Sequence, residues 1–415
     1  MIQNSRNKRK IVNDPVHGFV TISPELLFDL IEHPWFQRLR RIRQLGMAGI
    51  VYPGALHTRF HHALGAMHLT QEAIDTLKLK GFKITDEEAE ATLIAILLHD
   101  IGHGPYSHAL EHSIAEGISH EELSALMIQS LNQQFSGRLE LALSIFTNSY
   151  KKHFLHQLVS SQLDMDRLDY LKRDSFYTGV SEGVINTERI IKMLTIHDDE
   201  LMVEDKGIYS IEKFIVARRL MYWQVYYHKT VVAAENVLIN LLKRAKKLVE
   251  AGVSLFATPV FTEFLQHHYT YNDFAGNVHL LEKFAQLDDH DVFTSIKVWM
   301  HHPDFILSYL SQALVNRHLF KIELRNQAFS GSEILSINQS IARAFPKITP
   351  EETSYLFASG IITNNAYVPE RDKISLLQRD GKVSDIAESS DQLNISLLTS
   401  TVTKHFVCYP KTIKS

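Results

Sequence analysis

The stretch Leu93-Ile-Ala-Ile-Leu-Leu-His99-Asp100-Ile-Gly-His103-Gly-Pro-Tyr-Ser-His108 passes abruptly from an apolar run to histidines, a carboxylate and helix breakers. Just upstream, Thr85-Asp-Glu-Glu88 has the form of a capping box, so a helix opens there and carries the run Ala91 to Leu98 into a core. An imidazole and a carboxylate, His99 and Asp100, stand directly behind that run, and both are costly to bury unless paired, hydrogen-bonded or coordinated. Gly102, Gly104 and Pro105 then break the helix, which lets His103 and His108 turn toward one pocket. His99-Asp100 therefore reads in two ways: as the polar end of a buried helix, or as half of a metal site.

Two other segments favour the metal. His62, in Arg59-Phe-His-His-Ala-Leu-Gly65, lies on a segment whose Phe60, Leu64 and Met67 mark an apolar helix face. Asp166 lies in Leu163-Asp-Met-Asp-Arg-Leu-Asp-Tyr-Leu-Lys-Arg-Asp174, helical in pattern and dense in acids. Together His62, His99, Asp100 and Asp166 make an N2O2 set suited to one divalent Fe, Mn, Zn or Ni, with room for water and a phosphate oxygen. Nine of the 23 histidines fall between His57 and His120, more than twice what an even spread gives. Arg59, three residues before His62, and Arg167, beside Asp166, stand where an anion would need cations, although either alone would read as a solvated surface arginine. Tyr170 and Asp174, four and eight residues after Asp166, share its helix face.

Composition limits the alternatives. With 415 residues, 45% hydrophobic and 22% charged, the chain is an ordinary globular protein of two to three domains' length, or one large helical domain with appendages. Lys plus Arg (43) nearly balances Asp plus Glu (47), and the net charge of −4 excludes a globally basic nucleic-acid coat. The single cysteine, Cys408, leaves no intramolecular disulfide, and the polar, basic start Met1 to Lys10 has no apolar stretch behind it. The run Ala91 to Leu98 falls far short of the ~20 residues that span a bilayer. A cytoplasmic protein without a membrane partner is expected.

The coarse pattern is mainly α. Lys10 to Ile22 reads as a hairpin, Ser23-Pro24 opens a helix through Leu30, and Pro34 opens another carrying Phe36, Leu39, Ile42 and Leu45. Ser119-His-Glu-Glu122 is a second capping box; Phe154 to Asp174 is helical, Leu201 to Tyr209 suggests a hairpin turning at Glu204 to Gly207, and Ile211 to Glu250 is one long helix or two. Helical segments fill Phe261 to Leu314, and β-rich stretches then appear at Leu319 to Leu324, near Ala366 and near Phe406. The expected architecture is a helical core over residues 1–320, with the metal motifs in about 55–175, and a mixed α/β C-terminal lobe over 321–415.

The ordered set His62, His99-Asp100, Asp166 resembles the H…HD…D signature of the HD-domain phosphohydrolases. Its flanks Asn13-Asp-Pro-Val-His-Gly18, Phe36-Gln-Arg-Leu-Arg40, Gln44-Leu45-Gly46, Arg59 to Gly65, His99 to His108 and Asp164 to Asp174 most resemble the deoxynucleoside triphosphate triphosphohydrolases, including the animal SAM-and-HD-domain branch. The likeness runs from about Lys10 to Glu235. It implies an HD-type helical core and metal-assisted water attack on the α-phosphorus of a dNTP, releasing inorganic triphosphate, with Mg accompanying the triphosphate. It also implies roles: His108 as proton donor to the departing phosphate, Glu111 with His120 as the water-activating dyad, and His103, Arg59, Arg167 and Arg218 around the phosphates. Tyr170 and Leu45 would line the substrate site, Asp174 with Gln44 would hold the 3′-hydroxyl, and Tyr226 would crowd the 2′ carbon and exclude ribonucleotides. Tyr222 stands where the animal branch has a histidine, and Glu111 where it has an aspartate. Lys10, Asn13, Glu32, Gln37 and Arg40 match an activating-nucleotide site between subunits, which implies a homo-oligomer, a dimer or tetramer.

Blander readings stand beside these. Glu111 and His120 are also ordinary helix-end residues, Tyr226 an ordinary core aromatic, and Arg38, Arg40, Arg41 and Arg43 a plain basic helix face or a nucleic-acid contact. The competing functions are an HD-type phosphomonoesterase or phosphodiesterase on another nucleotide, and a non-catalytic nucleotide sensor or nucleic-acid-binding protein.

Overall fold

The computed structural model describes residues 10–106, 117–368, 373–390 and 400–413; His108 and Glu111 lie outside the described residues. The chain enters through the expected hairpin, β1 (Lys10–Asp14) and β2 (Gly18–Ile22), with Lys10 opposite Ile22 and Asp14 opposite Gly18. Asp14 closes the turn by accepting the N–H groups of Val16 and His17 at 2.9 Å each. α1 (Glu25–Glu32) buries Leu26, Leu27, Leu30 and Ile31. The helix expected from Pro34 is shorter than its pattern: it is α-helical only to Gln37, and a 3-10 turn carries Arg38 to Arg41. Phe36, Leu39 and Ile42 are nonetheless fully buried. Their spacing of three suits a 3-10 turn, which aligns i and i+3.

α2 (Arg59–Leu79) and α3 (Asp86–Leu98) form the centre and pack on one another. The capping box at the start of α3 is reciprocal: Glu88 N donates to Thr85 Oγ1 at 3.1 Å and Thr85 N to Glu88 Oε2 at 2.9 Å. Leu93, Ile94, Ile96, Leu97 and Leu98 are at most 3% exposed. A helix buried on every side holds its place by apolar transfer, roughly 1.5–3 kcal/mol per such side chain.

The end of α3 is tied by two devices. α4 (His120–Gln134) opens on the second capping box, and its Ser124 hydroxyl donates to the His99 carbonyl at 2.7 Å while accepting the Gly102 N–H at 2.9 Å. A Cβ on Gly102 would sit 2.4 Å from both the His120 carbonyl and Ser124 N, so only glycine lets α4 close on this turn. Gly102→Ala is expected to cost about 1–3 kcal/mol by forcing the backbones apart, read as a lower urea midpoint with unchanged m-value. The second device is Arg38, fully buried, which donates to the carbonyls of Ile101 (2.7 Å), His103 (2.9 Å), Leu287 (3.0 Å) and Phe284 (3.3 Å).

α5 (Glu140–Phe146), α6 (His153–Val159) and α7 (Met165–Thr178) follow. The single helical stretch expected over Phe154 to Asp174 breaks between α6 and α7. There Asp164 caps α7, accepting the N–H groups of Arg167 and Ser161 at 2.7 Å each. The next hairpin, β3 (Leu194–His197) and β4 (Glu200–Glu204), turns at Asp198-Asp199 and not at Glu204 to Gly207; Ile208 begins a helix. Both aspartates have positive φ (50° and 64°), as a tight two-residue turn requires and as Asp tolerates. Ile211 to Glu250 resolves into α8 (Ile208–Met221) and α9 (Lys229–Glu250), joined by a π-helical turn over Tyr222–Tyr226.

α10 (Phe305–Val315) packs on α9. β5 (Lys321–Arg325), β6 (Ala358–Asn364), β7 (Ser375–Leu377), β8 (Val383–Asp385) and β9 (Val402–Tyr409) complete the described strands. They divide between an antiparallel sheet in the order β5-β9-β6 and a sheet in the order β3-β4-β7-β8, where β7 runs parallel to β4 with Val203 opposite Leu376. Backbone pairing thus crosses position 320. The molecule is mainly α with small β elements, as expected. Among the described residues, no helix is long and apolar enough to cross a membrane.

Candidate active site

α2, α3 and α7 bring the expected ligands together. His62 Nε2 lies 3.0 Å from Asp166 Oδ1, 3.3 Å from His99 Nε2 and 3.8 Å from Asp100 Oδ2. His99 Nε2 lies 3.4 Å from Asp100 Oδ1 and 3.6 Å from Asp166 Oδ1. Donor atoms of His62, His99 and Asp166 all fall within 4.8 Å of one another, inside the reach of one ion. The tautomers are set from behind. His62 Nδ1 donates to Asp169 at 2.7 Å and His99 Nδ1 to the Ile96 carbonyl at 2.6 Å, so both Nε2 lone pairs face the cluster. Two imidazole lone pairs beside carboxylate oxygens fit a divalent transition metal. Burial opposes a charge on His62, yet hydrogen bonds to Asp166 and Asp169 outweigh it and push the imidazole up to about 10. The pocket therefore favours positive charge, and proton and cation compete for it. The Asp166 side chain keeps 26% of its exposure, so the cluster opens to solvent on that side.

Asp100 stands between two groups. Its Oδ2 accepts from Arg59 at 2.5 Å and its Oδ1 lies 3.2 Å from His103 Nε2. Asp100, His103 and His120 themselves present donor atoms within 4.8 Å of one another. The His103 and His120 rings stack at 3.8 Å with 16° between planes. Burial, reinforced by Arg59, holds His103 well below the usual imidazole range, so it is neutral.

Behind His62 lies a buried network. Asp169 is fully buried and accepts from His62, from His17 at 2.7 Å and from Arg173 at 2.8 and 2.9 Å; Arg173 also donates to Asp14 at 2.8 Å. A Cβ on Gly65 would fall 2.0 Å from Asp169 Oδ1, so α7 approaches α2 this closely only over a glycine. Asp169→Asn is expected to weaken metal affinity about 10–100-fold by loosening the orientation of His62, measurable by competition with a chelator.

A second wall is aromatic and carboxylate. Tyr226 donates to Asp174 Oδ2 at 2.7 Å, His57 Nε2 lies 2.8 Å from Asp174 Oδ1, and the Tyr170 and Tyr226 rings meet edge-on at 6.1 Å. Gln44 takes its place through its N–H to the His57 carbonyl at 3.0 Å, and half-buried Leu45 follows it. Tyr170 Oη, Gln44 Oε1 and Arg218 Nε are buried with no hydrogen-bond partner among the described residues. Arg167 and Arg218 line one cavity of about 380 Å³ next to α7.

The comparisons agree with this geometry. Residues 59–174 match the HD domain model and residues 185–255 the HD associated region. The chain is 33% identical over 418 residues to the Bacillus subtilis (strain 168) protein YwfO, covering 98% of this chain and 93% of that one. It superposes on a crystal structure described as a phosphohydrolase from Bacteroides thetaiotaomicron with a TM-score of 0.93 and 52% identity, over 97% of this chain and 100% of the other. The chain belongs to the HD-domain phosphohydrolases. It is also 30% identical over 271 residues to the Dictyostelium discoideum homolog of the deoxynucleoside triphosphate triphosphohydrolase SAMHD1, covering 61% of this chain and 52% of that protein.

Of the residues expected around a second nucleotide, this HD-domain chain brings Gln37, Arg40 and Glu32 near one another. Gln37 Oε1 accepts from Arg40 at 2.8 Å, Arg40 lies over the Phe60 ring at 3.6 Å, and Glu32 acts electrostatically on Arg40. Lys10 instead lies over Phe28 at 4.1 Å, and Asn13 is exposed on β1. The plain basic face does not form: Arg38 is buried and Arg41 pairs with Asp288. Asp169, Arg173, Asp14, His17 and His57 were not among the expected site residues. The helical spacing of Asp166, Asp169 and Arg173 carried a signal for two of them; His17 meets Asp169 across 152 positions, which no linear pattern reports.

Proposed function

We propose that this HD-domain phosphohydrolase is a metal-dependent dNTP triphosphohydrolase, splitting a dNTP into deoxynucleoside and inorganic triphosphate by water attack at the α-phosphorus. The observation that carries this reading is the open cluster of two imidazoles and a carboxylate, beside which buried polar atoms of Tyr170, Gln44 and Arg218, the residues the resemblance assigns to substrate, have no hydrogen-bond partner among the described residues. Such atoms cost ~1–3 kcal/mol each unless a ligand satisfies them. Likeness to the triphosphohydrolase SAMHD1 homolog supports it further.

His62, His99 and Asp166 would hold a divalent Fe, Mn, Zn or Ni, with Asp100 completing the set. That ion lowers the pKa of water and neutralises charge growing on the phosphoryl oxygens. Arg59 holds Asp100 ionised, and neutral His103, close to Asp100, is placed to hydrogen-bond a phosphoryl oxygen. Arg167 and Arg218 would hold the charge of the triphosphate and its Mg while the bond between the α-phosphorus and the 5′ oxygen breaks and the deoxynucleoside departs. His108 gives the leaving group its proton, and Glu111 with His120 draws the proton from water. Asp174 retains lone pairs beyond those used by His57 and Tyr226, and with Gln44 these receive the 3′-hydroxyl. Tyr226 crowds the 2′ carbon, leaving a ribose hydroxyl no partner. A second nucleotide at Lys10, Asn13, Glu32, Gln37 and Arg40 activates a homo-oligomer.

The test is product identification. Metal-loaded protein is given each dNTP singly and all four together, and products are separated by chromatography. Inorganic triphosphate with free deoxynucleoside is the expected result. Orthophosphate or pyrophosphate instead would make it another class of HD hydrolase, and nucleotide binding without turnover would make it a sensor.

A further inference from the structure

Ahead of α2 the chain folds back on itself: Arg43 pairs antiparallel with Thr58, which sets Gln44 opposite His57. Gln44 N donates to the His57 carbonyl and Arg59 N to the Ile42 carbonyl, at 3.0 Å each. Residues opposed in such a ladder put their side chains on one face, so Gln44 and His57 share theirs. A Cβ on Gly54 would sit 2.5 Å from the Tyr177 carbonyl, so the loop leading to His57 closes on the end of α7 over a glycine.

α7 receives the His57 ring on two neighbouring side chains, Asp174 and Tyr177, three residues apart on its surface. Tyr177 takes the face: the rings stack at 4.4 Å with 16° between planes. Asp174 takes the edge, with Oδ1 2.8 Å from Nε2. A carboxylate only accepts, so Nε2 carries the hydrogen and donates. The His57 side chain is fully buried, and its Nδ1 has no hydrogen-bond partner among the described residues, which leaves Asp174 as the ring's polar contact among them. His57 thus touches both acceptors at the sugar end of the site, Gln44 through its backbone carbonyl and Asp174 through its ring. His62 follows on the same stretch, so that end and the metal cluster are carried by one continuous segment.

We infer that His57 is a positioning residue that fixes the carboxylate plane of Asp174 for recognition of a sugar 3′-hydroxyl. Resting on the reading of Asp174 and Gln44 as partners of that hydroxyl, this assignment adds the group that makes the acceptor rigid. Without the ring, Tyr226 alone holds the carboxylate, by Oδ2, and the group can pivot about its bond to the chain. A hydroxyl that meets a mobile acceptor must order it on binding, which costs part of the hydrogen bond.

Calorimetric binding to the metal-loaded full chain tests this without turnover. The probes are analogues of the four dNTPs in which a methylene replaces the 5′ oxygen, so that this bond cannot be hydrolysed, and their 2′,3′-dideoxy counterparts. Wild type is expected to prefer the form with the 3′-hydroxyl by about tenfold or more, as one hydrogen bond to a charged group gives. His57→Phe keeps a ring for Tyr177 and removes the donor; it is expected to cut that preference about threefold or more. His57→Gln, which restores an N–H in a less rigid side chain, should fall between the two, and it carries the test alone should His57→Phe not fold. A merely structural role would weaken both forms alike and leave the ratio unchanged. No preference for the 3′-hydroxyl in wild type overturns the inference, as does an unchanged ratio in a folded variant. If the ratio falls in the variants but no dNTP is hydrolysed by wild type, the catalytic reading fails and the role of His57 stands. If triphosphate is released from dNTPs while the variants keep the wild-type ratio, the reverse holds.

Discussion

Asp166→Ala is expected to remove the metal and the turnover together. Asp166 supplies the only carboxylate oxygen of the three-residue cluster and touches both imidazoles, at 3.0 and 3.6 Å. Without it, His62 and His99 face one another at 3.3 Å, and Asp100, the other carboxylate near their Nε2 atoms, is also bound to Arg59. Metal affinity should fall by more than the ~10–100-fold typical of a change behind a ligand. Lewis-acid stabilisation is worth several kcal/mol, so turnover should fall by about three orders of magnitude or more. Elemental analysis of the purified variant, in parallel with the product assay, checks both. Full metal occupancy in the folded variant would remove Asp166 from the ligand set.

Arg38→Met should be the most destabilising single change in the core. The guanidinium satisfies four backbone carbonyls from two distant stretches, residues 101–103 and 284–287. Methionine fills much of the space and leaves all four acceptors without that donor. At ~1–3 kcal/mol per buried group, the loss is about 4 kcal/mol or more, a large share of the ~5–15 kcal/mol that a folded protein has. Burial already lowers the arginine to about 9 against the attraction of Asp288 and Asp289, so the charge itself is held at a cost. Arg38→Lys, with a point charge unable to span four carbonyls, should recover only part of the loss. Urea unfolding of both variants measures it; midpoints equal to wild type would show that the carbonyls find other donors.

Much of the fold was legible because its signals are local. Both capping boxes formed as written, at Thr85 to Glu88 and Ser119 to Glu122, since each involves groups three residues apart. The errors also have local causes: Asp198-Asp199 outcompeted Glu204 to Gly207 as the turn, and Asp164 capped a helix inside a stretch that looked continuous. The ligand cluster was legible in kind, since a histidine-aspartate pair after a buried helix asks for a partner. Arg59 shows the limit: expected to face phosphate, it spends one terminal nitrogen on Asp100.

From the residues alone came the helical class, the membership signalled by His62, His99-Asp100 and Asp166, and the chemistry that such donors suit, because residue type and short spacing carry that information. Only the tertiary structure decided that Asp169 and Arg173 stand behind His62, that their side chains press on Gly65 while the backbone of α4 presses on Gly102, and that Arg38 is an internal brace and not a surface cation. Those facts depend on helices packing at sub-ångström tolerance between residues far apart in the chain, and distance in space has no counterpart in linear spacing.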